Sequence, residues 1–128
     1  MKKVSRCIIC LGSNEKCEYH LNMAEKILNR TFPGICWGGV VKTAPEGTDI
    51  PEAYLNRAAI INTGMTPEEL KVLFKKIEEQ CGRTPESKQT GIIPLDIDLL
   101  VYDHEIIKPS DMKKNYVLQA LSTLPDKE

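Results

Sequence analysis

The sequence predicts an α+β sandwich on a mainly antiparallel sheet, its elements running strand, helix, strand, strand, helix, strand. Three observations predict it. Apolar or alternating runs beginning at Val4, Ile35, Tyr54 and Leu95 have the length and branched-residue content of strands. The segments after the first and third runs carry their apolar residues at helical spacing instead. Turn compositions rich in Gly, Pro, Asn and Asp punctuate the runs.

In chain order, Val4 to Leu11 reads as the first strand, ending in the turn composition Gly12-Ser13-Asn14. Glu18 to Arg30 follows with Leu21, Ala24 and Leu28 on one helical face, and Pro33-Gly34 closes it. Ile35 to Thr43 is a second strand, Ala44 to Pro51 a loop, and Tyr54 to Thr63 a third strand. Thr66-Pro67-Glu68-Glu69 supplies an N-cap, a proline at the first helical position and the glutamate of a capping box. The helix it opens carries Leu70, Leu73, Phe74 and Ile77 on its apolar face and ends near Cys81-Gly82. Thr84 to Gly91 is polar and loop-like, and Leu95 to Tyr102 is the fourth strand, with a turn at Asp103-His104 into Glu105 to Lys108. Tyr116 to Leu121 fits either a short helix or an extended segment. The order matches the split β-α-β arrangement of ferredoxin-like folds, and 128 residues suit one domain spanning positions 1–128.

Seventeen basic and eighteen acidic residues leave a net charge of −1. Such a balance provides no overall attraction to nucleic acid or an anionic membrane, and an aromatic content of 5% argues against an RNA-binding sheet surface. The apolar start is too short and interrupted for a signal peptide, and no segment reaches membrane-spanning length, so a cytoplasmic protein is expected. Five scattered cysteines argue against a disulfide framework. Cys7-Ile8-Ile9-Cys10 matches C-x-x-C, but on a strand residues three apart face opposite ways and do not close on one metal. Free thiols are the expected state.

The chemistry concentrates in Pro94-Leu95-Asp96-Ile97-Asp98-Leu99-Leu100. Alternation on a strand puts Asp96 and Asp98 on one face and Leu95, Ile97 and Leu99 on the other. Carboxylates in an apolar run need a partner, so the pair suggests a cation site, most simply magnesium with a phosphate ligand. Gly12-Ser13-Asn14, Thr43-Ala44-Pro45-Glu46-Gly47 and Tyr54-Leu55-Asn56 add exposed backbone, amides and an aromatic ring, suited to a flat polar heterocycle.

Together with Ile77-Glu78, Gly82-Arg83 and Tyr116-Val117-Leu118, these segments occur in the order and approximate spacing of 6-hydroxymethyl-7,8-dihydropterin pyrophosphokinases of folate biosynthesis, which the chain resembles over nearly its whole length. The resemblance implies transfer of a pyrophosphoryl group from ATP to the pterin hydroxymethyl oxygen, with release of AMP. It implies two magnesium ions on Asp96 and Asp98, and Arg83 and Lys114 as catalytic cations. Asn14, Thr43, Pro45, Tyr54, Asn56 and Tyr116 would form the pterin site, and Glu78, Lys88 and Lys113 would face the nucleotide.

The chain departs from the family pattern on the nucleotide side. Where the family has a tryptophan and neighbouring arginines before the acidic strand, this chain has Thr90, Gln89 and Ile93. The family's proline-histidine segment after that strand also lacks its histidine, leaving Lys113 or Lys114 to serve for a later arginine. Arginine's planar fork is not reproduced by glutamine or isoleucine, so weakened ATP closure is expected. Two functions follow: a slowed pyrophosphokinase, or a catalytically impaired relative that binds a pterin or nucleotide as sensor or partner.

Overall fold

A computed structural model describes residues 4–43 and 54–125, Lys88 by its backbone alone. The first strand, β1 (Ser5–Ser13), lies at the centre of a five-stranded sheet of order β2-β3-β1-β4-β5. Its neighbours are β3 (Tyr54–Thr63) and β4 (Asp96–Tyr102), both antiparallel to it. β2 (Cys36–Thr43) extends one edge, and the two-residue β5 (Glu105–Ile106) covers part of the other. This is the ferredoxin-like order, with one short strand added.

β1 reads as an almost unbroken apolar run because both of its faces are covered. Cys7, Ile9 and Leu11 pack beneath α1 (Cys17–Thr31) and α2 (Pro67–Gln80), against Leu21, Leu28, Leu70 and Phe74. Cys10 faces the other way, into a smaller cluster with Ala58, Leu100, Val117 and Ala120 beneath α4 (Asn115–Leu121). Helices therefore flank the sheet on both sides. The opposed faces of Cys7 and Cys10 bear out the reading of C-x-x-C as two unrelated thiols, and Cys7, Cys10, Cys36 and Cys81 are free.

The capping box forms as expected: Glu69 N–H donates to Thr66 Oγ1 at 3.1 Å, and Thr66 N–H donates to Glu69 Oε1 at 2.9 Å. Gly82 follows α2 at φ 100°, a left-handed conformation natural to glycine. Elsewhere local composition is overruled. Gly12 and Ser13 remain in β1, because Gly12 sits between Asn56 and Asp96 on the neighbouring strands. The polar loop before β4 contains a one-turn helix, α3 (Ser87–Thr90), after which Gly91 N–H donates to Ser87 O at 2.9 Å. Tyr116 to Leu121 is helical, preceded by a 3₁₀ turn at Asp111–Lys113. The loop expected at Ala44 to Pro51 lies outside the described residues.

The far end of α4 is seated on β2. Gly39 N–H donates to Thr123 Oγ1 at 2.9 Å, and a Cβ on Gly38 would come within 2.5 Å of that same oxygen. The adjacent glycines coincide with a register irregularity between Trp37 and Val40, where the strand yields to the helix. Among the described residues, no helix is long and apolar enough to cross a membrane.

Candidate functional site

Alternation along β4 builds the site. Ile97 and Leu99 enter the α1/α2 core, while Asp96 and Asp98 take the face towards α4, where Leu100 continues the same face into the smaller apolar cluster. In register, Asn56, Gly12 and Asp96 form one row across β3, β1 and β4. Gly12 keeps that row close-fitting, since a Cβ there would lie 3.0 Å from Asn56 Oδ1.

Two cavities share the carboxylates. The larger, about 630 Å³, lies between α2, the Arg83–Pro85 segment and β4, with Lys71, Lys75, Glu78 and Lys108 in its wall. The smaller, about 210 Å³, is bounded by Thr43, Tyr54, Asn56, Lys114 and Tyr116. Asp96 and Asp98 line both.

Among the described residues each carboxylate forms an ion pair with one cation. Arg83 Nη1 donates to Asp96 Oδ1 at 2.8 Å and to Leu95 O at 3.2 Å, and lies 3.6 Å from Glu78 Oε1. Lys108 Nζ donates to Asp98 Oδ1 at 2.6 Å. Even so, burial first, and then the charge and hydrogen bond of Asp96, push Asp98 up to about 6, against the lowering pull of Lys108. Burial works against the Arg83 charge, but Asp96 and Glu78 outweigh it and raise the guanidinium.

The pair fits a hard divalent cation: two carboxylates press against each other on one strand face, and their mutual repulsion is what such an ion relieves. Among the described residues no group of three or more His, Cys, Asp or Glu side chains is placed to hold a metal. Remaining ligands would therefore be water or oxygens of a bound molecule, the coordination habit of magnesium.

In the smaller cavity the Tyr54 and Tyr116 rings are nearly parallel, 13° apart, with centroids at 6.4 Å. That separation lies within the range of direct ring stacking, so the two rings together form one aromatic wall of the cavity. Asn56 is buried, and its Nδ2 donates to Thr43 Oγ1 at 3.0 Å, which leaves Oδ1 as its acceptor.

Thr43, Tyr54, Asn56, Tyr116, Asp96, Asp98 and Lys114 thus come together around the smaller cavity, and Arg83 and Glu78 join the carboxylates around the larger. The remaining expected residues are placed as follows. Asn14 lines neither cavity; its Nδ2 donates to Gly91 O at 2.7 Å and its Oδ1 accepts from Ile93 N–H at 2.6 Å, bracing the end of β1 against the loop before β4. Glu78, in the wall of the larger cavity, also accepts at its Oε2 from Ile97 N–H at 2.8 Å along the part of β4 that β5 leaves uncovered. Burial pushes its carboxyl up, opposed by that N–H and by Arg83. Lys114 pairs with Asp111 at 2.9 Å and lies 5.8 Å from the Tyr116 ring centroid, on the side of the smaller cavity only. Lys113 is exposed and lines neither. Pro45 and the Lys88 side chain lie outside the described residues.

Sequence reading missed Lys108, Lys71 and Lys75. Lys71, Lys75 and Glu78 lie at helical spacing on α2, a signal that was available; Lys108 reaches Asp98 from beyond β5, which no local pattern announces.

Fold and site together define a ferredoxin-like protein with a two-chambered acidic site on its sheet. The chain belongs to the 7,8-dihydro-6-hydroxymethylpterin-pyrophosphokinase family, whose model matches residues 8–126. It is 33% identical over 109 residues to the 2-amino-4-hydroxy-6-hydroxymethyldihydropteridine pyrophosphokinase of Bacillus subtilis (strain 168), covering 81% of this chain and 64% of that protein. It is 32% identical over 97 residues to the mitochondrial folate synthesis bifunctional protein of Pisum sativum, covering 74% of this chain and 19% of the relative. The pyrophosphokinase of Aquifex aeolicus (strain VF5) is 35% identical over 60 residues, 47% of this chain and 37% of that protein. In each case the match spans less than two thirds of the relative's length.

Proposed function

We propose that this chain transfers a pyrophosphoryl group from ATP to the hydroxymethyl oxygen of 6-hydroxymethyl-7,8-dihydropterin, with two magnesium ions held by Asp96 and Asp98. One observation carries the reading: a large charged cavity and a small aromatic one meet at a single carboxylate pair. A transfer between two ligands needs both to reach one set of charges, and phosphoryl-type transfer depends mainly on positioning and charge neutralisation.

Tyr54 and Tyr116 form the aromatic wall against the pterin ring, while Asn56 and Thr43 meet its polar edge. Lys114 closes the same side. In the larger cavity Arg83, fixed between Asp96, Glu78 and Leu95 O, presents a preorganised positive charge to the phosphates. Lys71 and Lys75 add mobile charge on α2, and Glu78 orients Arg83 while capping β4. Magnesium, when bound, supplies neutralisation of the triphosphate charge. Asn14 serves by bracing the loop rather than by touching the pterin. Because Gln89, Thr90 and Ile93 provide no cation, turnover is slower than a fully arginine-lined loop would give.

The test is AMP formation from ATP, magnesium and hydroxymethyl-dihydropterin, with Asp96→Ala as control. AMP should appear only with the pterin and magnesium both present, and the substitution should lower the rate on the order of a hundredfold or more. Absence of turnover at high protein concentration sinks the enzyme reading. The second reading, an impaired pterin-binding relative, is favoured by the aromatic cavity of Tyr54 and Tyr116 beside a loop in which Gln89, Thr90 and Ile93 carry no cation. Calorimetric binding of the pterin without turnover selects it, and absence of both removes it too.

A further inference from the structure

Arg83 and Lys108 hold the two carboxylates in different ways. Arg83 is fastened by several oxygens, and its side chain is 18% exposed. Lys108 donates a single hydrogen bond among the described residues, to Asp98, with the charges of Asp111 and Asp96 acting on it from nearby, and its side chain is 41% exposed. Its backbone, however, is fixed at both sides: Ile107 N–H donates to Leu100 O at 2.8 Å, and Lys108 O accepts from Asp111 N–H at 3.1 Å and Met112 N–H at 3.2 Å. A four-carbon stem with free rotors thus extends from an anchored base into the larger cavity.

The charges of that cavity also bear on its ligand. Lys71, Lys75, Arg83 and Lys108 face Glu78, Glu79, Asp96 and Asp98, equal numbers of each sign. A bare triphosphate gains little from a balanced wall, whereas one that brings its own divalent cations needs the wall to sort itself, anions to metal and cations to phosphate. Sorting requires one existing pair to separate. Lys108–Asp98 is the pair with a single hydrogen bond and the more exposed cation.

We propose that Lys108 is an exchangeable counter-ion: it neutralises Asp98 in the metal-free protein and transfers its ammonium to the nucleotide phosphates when divalent cations take the carboxylates. The proposal rests on the pyrophosphokinase reading of the larger cavity. It makes Lys108 compete with a metal alone and cooperate with a metal-nucleotide complex, two effects of opposite sign at one residue.

The experiment compares the unsubstituted protein with Lys108→Met and Lys108→Arg, each checked for native circular dichroism. Manganese alone is titrated by paramagnetic resonance, and magnesium with α,β-methylene-ATP by calorimetry. Lys108→Met should bind manganese alone several-fold more tightly and the magnesium-nucleotide complex about tenfold more weakly, and Lys108→Arg should move both towards the unsubstituted values. If the unsubstituted protein binds the complex but Lys108→Met leaves both affinities unchanged, or lowers both together, exchange at Lys108 is overturned while the nucleotide site stands. If the unsubstituted protein does not bind the complex at all, the nucleotide reading falls and this proposal with it.

Discussion

Asp98 sits in the greatest electrostatic tension of the site, pushed up to about 6 by burial and by Asp96 despite the ammonium beside it. Its folded-state value is therefore above that of an unfolded aspartate, and the folded protein keeps a proton that the unfolded chain releases between roughly pH 4 and 6. The contribution is favourable below that window and is lost as pH rises through about 6. Melting in the presence of a chelator should show this fall, and Asp98→Asn should flatten it while removing turnover. A slope unchanged by the substitution would assign the pH dependence elsewhere. The carboxylate pair was legible in the sequence because strand alternation is a local rule; Lys108 was not, because its partner lies across a turn and a side chain's length away. The hydrogen bonds of Asn14 were hidden for a related reason: its amide bonds to Gly91 and Ile93, residues that only the closed sheet brings near.

At the scale of elements, α2 and α4 are held by different physics. α2 carries a complete capping box and buries Leu70, Phe74 and Ile77, so Thr66→Ala should cost about 1 kcal/mol, roughly 4 °C in melting temperature, with pterin affinity unchanged. α4 has no side-chain cap, buries Val117 and Ala120, and is seated at its far end where Gly38 leaves room for Thr123. Gly38→Ala places a Cβ against Thr123 Oγ1 and should cost about 1–3 kcal/mol while also weakening pterin binding, because Tyr116 rides on the displaced helix. Calorimetry and thermal melts on both variants separate the effects; equal pterin affinity in both would detach α4 from the site. The contrast explains why one helix was readable and the other undecided. A capping box and a long apolar face are sequence signals, whereas α4 owes its helix to a sheet surface made by distant residues.

For the whole molecule, a sheet covered on both faces shields its thiols. Burial first, then Asp103, pushes Cys7 up to about 11, and burial first, then Asp98 and Asp96, pushes Cys10 up to about 12. With few thiolates at neutral pH, Cys7, Cys10 and the buried Cys81 should be labelled by a thiol reagent only as the protein unfolds, after the half-buried Cys17 and Cys36. Mass spectrometry of briefly labelled native protein reads that order, and early modification of Cys10 would contradict the α4 packing.

The row Asn56, Gly12, Asp96 acts as a gauge block. Adjacent strands stand about 4.8 Å apart, so the backbones bearing the amide and the carboxylate are held at two such intervals, roughly 10 Å. Loops may tighten or slacken around this row without altering it, because lengthening it means unpairing the central strand of the sheet. On the proposed function, a substrate held at Asn56 would have to present its reacting end to Asp96 at that set distance, so that molecules would be graded by length before any chemistry begins.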